Sequence, residues 1–170
     1  MTEILLVRHG ETDWNVARRV QGHTDVPLNA AGLEQAAELA RLLTPEPLTA
    51  VYASDLARAR DTAAAVALVH GLPVNVDHDL REKHFGTWEG LTDREIAERF
   101  PAAVSGGWGD GETSEQVAER VLSALTRIST RHLHGPVLVV SHGGPLRAIL
   151  QHLSVEHGRI GNCEVFRVDY

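Results

Sequence analysis

Several features are scarce in this 170-residue chain, and each scarcity excludes a class of protein. There is one cysteine, Cys163. An intramolecular disulfide and a cysteine-built metal site are both ruled out. No run of lysine and arginine is long enough to mark a nucleic-acid footprint, and the net charge is −7. No nucleic-acid partner is expected. No apolar stretch approaches the roughly 20 residues that cross a bilayer, so no membrane partner is expected either. The first residues lack a basic stretch followed by an apolar one, the pattern of a signal peptide. A cytoplasmic protein is expected. Internal repeats and low-complexity tracts are also missing. What is present is ordinary for a globular chain: 43% hydrophobic and 23% charged residues. The length suits a single domain, residues 1–170, with a sizeable core.

Strand and helix patterns alternate along the chain. Ile4-Leu5-Leu6-Val7 is short, apolar and bounded like a buried strand. A polar loop is expected from Thr12 to Asn29. A helix should run from about Ala31 to Leu43, with Leu33, Ala36, Ala40 and Leu43 on one face. Thr49 to Ala53 reads as a strand, and Ser54-Asp55 as the N-cap of a helix from Leu56 to His70 that Gly71 closes. Pro73 to Val76 resembles an edge strand, and Thr92 to Phe100 a short helix. Thr113 and Gln116 have capping-box spacing ahead of a helix with Val117, Val121, Leu125 and Ile128 as its stripe. Val137 to Val140 is wholly apolar, as a central strand covered on both faces should be. A helix should open at Pro145 and end near Leu153, and a last strand should run from Glu164 to Val168. This alternation predicts an α/β fold: a three-layer α/β/α sandwich with a mostly parallel central sheet and helices on both faces. The glycine-rich piece Gly106 to Gly111 reads as a mobile loop in a short cap.

The chemistry-bearing residues fall at strand ends. Arg8-His9-Gly10 follows the first strand directly, and in open α/β sheets ligands bind outside the carboxyl ends of strands. Arginine can fork onto a phosphate, histidine can act as nucleophile or proton carrier, and glycine lets the backbone approach a bound group. Ser141-His142-Gly143-Gly144 repeats the arrangement after the central strand. The helix that follows turns free amides and its positive end toward the same crevice. Arg58 lies in a first helical turn, where a cation is disfavoured unless an anion faces it. Glu82 stands in Leu80 to Gly86. Two histidines, two arginines and one carboxylate suit phosphoryl transfer through a histidine, with no metal and no cofactor needed.

Blander readings stand beside these. Arg58 is open to pairing with Asp55, Asp61 or Thr62, and Glu82 to pairing with Arg81 or Lys83. Glu112 is either a first-turn helix charge or a loop anchor. Trp14 and Trp88 read as packing residues, and Trp108 as packing or as a substrate contact. His132 and His134 close a helix and fit its negative end better than a metal.

Taken together, Arg8-His9-Gly10-Glu11-Thr12 with Trp14-Asn15, Gln21-Gly22 with Thr24-Asp25 and Pro27-Leu28-Asn29, Gly32 with Gln35-Ala36, Ser54-Asp55-Leu56 with Arg58-Ala59 and Thr62-Ala63, Arg81-Glu82 with Phe85-Gly86, and Val140 to Gly144 run in an order that resembles the histidine phosphatase superfamily, which includes the cofactor-dependent phosphoglycerate mutases. The resemblance implies that His9 becomes phosphohistidine. It implies that Arg8, Arg58 and His142 hold the phosphoryl oxygens, that Asn15, Gln21, Gly22 and Gly143 line the pocket, and that Glu82 protonates the leaving alkoxide. That set agrees with a loose phosphoryl-transfer transition state, whose charge rests on three equatorial oxygens. The expected function is hydrolysis of small phosphate monoesters by a monomer or homodimer. A phosphoglycerate-type mutase and a non-catalytic phospho-ligand binding module are the alternatives. Lys83-His84-Phe85-Gly86 resembles the mutase version of its motif. The short segments Phe100 to Thr113 and His152 to Asn162 argue instead for a phosphatase open to water. Lys83, Arg18 and Arg19 are the candidates for any second anion subsite.

Overall fold

A computed structural model describes residues 1–102 and 110–170. Five strands form one sheet: β1 (Glu3–Arg8), β2 (Ala50–Ala53), β3 (Val74–Val76), β4 (Val137–Ser141) and β5 (Val165–Asp169). Their order across the sheet is β3-β2-β4-β1-β5. The first four are mutually parallel, and only β5 is antiparallel to its neighbour β1. The mostly parallel sheet expected from the sequence is therefore found, with β3 at the edge.

Alternation along β1 and β4 builds the layers. Ile4, Leu6, Val137 and Val139 point to one face, where they meet α5 (Ser114–Arg131) and α6 (Gly143–His152). Leu5, Val7, Leu138 and Val140 point to the other, against α2 (Ala30–Leu43) and α3 (Ala57–His70). All eight side chains are completely buried. Period-2 side-chain placement thus turns a short, uniformly apolar run into the two halves of the core.

Four expectations are corrected. The segment from Thr12 begins with a one-turn helix, α1 (Asp13–Val16), closed by a capping box between Thr12 and Asn15. Helix α3 is not capped by Ser54 or Asp55. Leu56 is its N-cap, without a side-chain bond. The Ala57 amide donates instead to Asp25 Oδ1, and Asp55 is engaged by Arg81 and His78. Helix α6 starts two residues before Pro145, so Gly143 and Gly144 form its first turn. Leu33, expected on the buried face of α2, is exposed. Helix α4 (Asp93–Arg99) and the Thr113–Gln116 capping box of α5 occur where expected. Trp108 and most of the glycine-rich piece lie outside the described residues.

Close backbone approach fixes the loop after β1. A side chain on Gly32 would place its Cβ 2.1 Å from the Glu11 carbonyl oxygen, so only glycine lets α2 pack there. The Glu11 amide donates to Gln35 Oε1 at 2.8 Å, and the Asn29 amide to the Glu11 carbonyl at 3.0 Å. These bonds hold the backbone that follows His9.

Candidate active site

His9 and His142 follow adjacent parallel strands, since Arg8 is paired in register with Ser141. The His9 amide donates to the Ser141 carbonyl at 3.0 Å. The two rings lie 5.1 Å apart between centroids, tilted by 57°. His9 is 2% and His142 0% exposed. The sheet register thus brings together two imidazoles that are 133 positions apart in sequence.

The environment sets the tautomer of His9. Its Nδ1 lies 2.7 Å from the Gly10 carbonyl oxygen, which can only accept. Nδ1 therefore carries the proton and Nε2 keeps its lone pair. Burial pushes His9 well below the ordinary imidazole range, and the nearby Arg58 and Arg8 charges push it further. Burial does the same to His142, with Arg58, His9 and Arg8 adding to it. Both rings are neutral at neutral pH.

Arg58 is completely buried, in the first turn of α3. Its Nη1 donates to the Thr24 carbonyl at 2.9 Å and its Nη2 to the Gly22 carbonyl at 2.8 Å. The ion-pair readings with Asp55 and Asp61 fall: Asp55 goes to Arg81, and Asp61 faces Arg60. Thr62 Oγ1 donates to the Arg58 carbonyl rather than meeting its guanidinium, and accepts from the Gly10 amide at 3.0 Å. Burial lowers the Arg58 guanidinium to about 10, which leaves it charged. Arg8 donates through Nη1 to the Ile160 carbonyl at 2.8 Å. Four buried polar atoms at this place make no hydrogen bond: Arg8 Nε, Arg58 Nε, and both ring nitrogens of His142. Such groups are costly to leave unpaired in a low-dielectric interior.

Glu82 comes from the segment between the 3₁₀ turn at His78–Leu80 and the one at Gly86–Trp88. Its Oε1 accepts from the Lys83 amide at 2.8 Å and from the Gly144 amide at 3.1 Å. A Cβ on Gly144 would come within 2.4 Å of the same oxygen. Gly144 thus admits the carboxylate to the N-terminus of α6. The Arg81 reading of Glu82 is not met, because Arg81 pairs with Asp55.

The segment that carries Glu82 is fastened by Arg120 and His23, which the sequence did not single out, and by Glu112, which it did. Arg120 on α5 donates to the carbonyls of Asp79, Arg81 and Glu82 at 2.7–2.8 Å. It also pairs with Glu112, whose Oε2 accepts from the His84 amide at 2.7 Å. Glu112 is thus a loop anchor. His23 Nε2 donates to the Glu82 carbonyl at 2.8 Å. Arg120 and His23 act on backbone carbonyls distant in sequence, with no local pattern to betray them.

The remaining expected residues are near but differently engaged. Asn15 Oδ1 accepts from the Thr12 amide, and Asn162 reaches the His9 carbonyl at 2.9 Å. Gln21 Oε1 accepts from Thr12 Oγ1. Gly22 contributes the carbonyl that holds Arg58. His132 caps α5 and meets Tyr52 Oη at 2.9 Å.

A cavity of about 540 Å³ opens beside this group, lined by Arg8, Glu82, Gly143 and Gly144 among others. His9, His142 and Arg58 are not among its lining residues. Of Lys83, Arg18 and Arg19, only Lys83 lines it. Arg19 is held by Glu95 and the Gly90 carbonyl. No helix among the described residues is long and apolar enough to cross a membrane.

Comparison with known proteins identifies the family. The family model for the histidine phosphatase superfamily (branch 1) matches residues 4–170. A metal-independent phosphoserine phosphatase of Arabidopsis thaliana is 45% identical over 160 residues, covering 88% of this chain and 67% of the relative. A probable phosphoglycerate mutase of Proteus mirabilis is 36% identical, covering 100% of this chain and 86% of its own. The structure of a mycobacterial glucosyl-3-phosphoglycerate phosphatase complexed with VO3 superposes with a TM-score of 0.91 at 30% identity, over 99% of this chain and 91% of that one. The chain belongs to the histidine phosphatase superfamily, branch 1, and is a phosphatase of that family.

Proposed function

We propose that this single domain hydrolyses small phosphate monoesters in the cytoplasm, without a metal, through phosphohistidine on His9. The observation that carries the reading is the set of unbonded polar atoms on Arg8, Arg58 and His142 beside an imidazole whose Nε2 lone pair is free. A phosphoryl group brings the oxygens those atoms lack. In the first step His9 Nε2 forms a bond to phosphorus while the phosphorus–oxygen bond to the alcohol breaks. Arg8, Arg58 and His142 face the equatorial oxygens, where the charge of a loose transition state collects. Asn15, Gln21, Gly22 and Gly143 border this group. Glu82 Oε1 is taken by two amides, so Oε2 is the atom that hands a proton to the departing alkoxide. In the second step Glu82 takes a proton from water, the water oxygen attacks phosphorus, and the bond to Nε2 breaks. Phosphate leaves and the imidazole is restored.

A mutase reading has one specific observation in its favour, Lys83-His84-Phe85-Gly86, and a mutase among the relatives. Product analysis separates the two. With 3-phosphoglycerate and catalytic 2,3-bisphosphoglycerate, phosphate release with little interconversion is expected. Rapid exchange of the two phosphoglycerates without phosphate release would overturn the phosphatase reading. Hydrolysis of an aryl phosphate should also be unchanged by excess chelator, and strict metal dependence would contradict the mechanism.

A further inference from the structure

Arg58 is completely buried, yet among the described residues its guanidinium bonds to two carbonyl oxygens and to no carboxylate. A buried charge without a counter-charge is costly. The peptide groups it touches lead to one. The Gly22 carbonyl and the His23 amide belong to a single peptide group. The carbonyl accepts from Arg58 Nη2 at 2.8 Å, and the amide donates to Glu89 Oε1 at 2.9 Å. Thr24 repeats the pattern. Its carbonyl accepts from Arg58 Nη1 at 2.9 Å, while its amide and hydroxyl donate to Glu89 Oε2 at 2.9 and 2.6 Å. The loop therefore lies between a guanidinium and a carboxylate, and each charge strengthens the hydrogen bond made to the other. Gly22 has φ +55°, and a Cβ there would strike Glu89 Oε1, so glycine serves both the turn and the close approach.

Glu89 also reaches the other half of the site. Its Oε1 accepts from the Phe85 amide at 3.1 Å, on the segment that carries Glu82. His84 Nε2 stands 4.0 Å from the same oxygen. The Glu89 side chain is 13% exposed. Burial alone would push its carboxyl up, but the bonds from Thr24, His23 and Phe85 outweigh that and hold it below the ordinary carboxylate range. It is ionised at neutral pH and can only accept. It does not line the cavity.

We propose that Glu89 is a positioning residue that ties Arg58 to Glu82: it supplies the counter-charge of Arg58 through the Gly22–His23 peptide, and it fixes the Glu82 segment through the Phe85 amide. This deepens the function proposed above and rests on it for the roles of Arg58 and Glu82. Glu89 acts through main chain alone. One carboxylate then sets the spacing between the group that receives the phosphoryl oxygens and the group that hands over the proton.

The test reads the two halves separately in Glu89→Gln, which keeps the shape and removes the charge and one acceptor. Orthovanadate affinity, by calorimetry, reports the Arg58 half. The rate of alcohol release from an alkyl phosphate, relative to the first-turnover burst of an aryl phosphate, reports the Glu82 half. Vanadate affinity should fall by about tenfold, and the alkyl-to-aryl ratio by roughly fivefold. Arg120→Gln, which touches only the Glu82 segment, should lower the ratio and leave vanadate affinity unchanged. Thr24→Val removes a single donor to Glu89 and should move both readouts the same way by about twofold. It decides the matter if Glu89→Gln does not fold. A fall in melting temperature with both readouts unchanged overturns the proposal, and so does a change in only one of them. An equal loss of vanadate affinity in Arg120→Gln also overturns it. If the unaltered protein binds vanadate but transfers no phosphoryl group, the hydrolytic mechanism falls and the affinity arm alone decides the link from Glu89 to Arg58.

Discussion

The two sides of the candidate active site are built in different ways. On one side, His9 and His142 follow neighbouring strands, are buried, and are placed by the register of a parallel sheet. Their positions follow from the ladder itself. On the other side, Glu82 lies just after a 3₁₀ turn at His78–Leu80, outside any strand or long helix. Its place depends on Arg120, Glu112, His23 and the amide of Gly144, each reaching from another part of the chain. A sheet holds groups by many weak bonds that share the load. A loop holds its group by a few charge-assisted ones, and each of those matters more. The phosphoryl-binding side should therefore tolerate change in its surroundings better than the proton-donating side.

The contrast is broken most severely at Glu82 itself. Glu82→Gln should lower the alcohol-releasing step of alkyl phosphates by about 10² to 10⁴, with little loss in the first-turnover burst of aryl phosphates, whose alcohol leaves without a proton, although the phosphoenzyme then persists. Equal losses on both would make Glu82 a structural group. Gly144→Ala sharpens the point. The added methyl group collides with Glu82 Oε1, while alanine suits a helix at least as well as glycine. Loss of alkyl-phosphate turnover with an unchanged melting temperature is expected, and a fall in both would show a general defect.

A smaller effect is expected one step further out. Arg120→Gln removes three bonds to the carbonyls of the Glu82 segment. Turnover of alkyl phosphates should fall by roughly tenfold, more than the first-turnover burst of aryl phosphates, because a misplaced donor costs the step that needs it. Arg120→Lys should recover part of it. A change confined to thermal stability would leave Arg120 as a brace alone.

The smallest effect concerns the sheet-built side and acid. Burial depresses both imidazoles in the folded protein, so the unfolded chain binds more protons below about pH 6.5. Their contribution to stability is full above that pH and shrinks as pH falls. His142→Gln should flatten the decline between about pH 7 and pH 5 in denaturant titrations. Identical slopes for the variant and the unaltered protein would refute it.

The same division governs what could be read from the sequence. Arg8-His9 and Ser141-His142 stand out because each directly follows a short apolar run, and a local pattern reports a strand and its end. The capping box at Thr113 and Gln116 is equally local. The cap of α3 was not legible. Asp25 reaches it from 32 residues away, and Asp55 has been drawn off by Arg81. Arg120 carries no signal at all, because its partners are main-chain carbonyls on another element.

The central claim, that His9 is the group phosphorylated and Glu82 the group that lets the phosphoryl go, has one direct test. Glu82→Gln protein is mixed with an aryl phosphate, quenched in base, and examined by intact-mass and peptide mass spectrometry. The account predicts an adduct of one phosphoryl group on His9, lost in acid and unaffected by prior chelation, and no adduct when His9→Ala is added to the variant. Turnover without any adduct on His9, or an adduct on another residue, would contradict it.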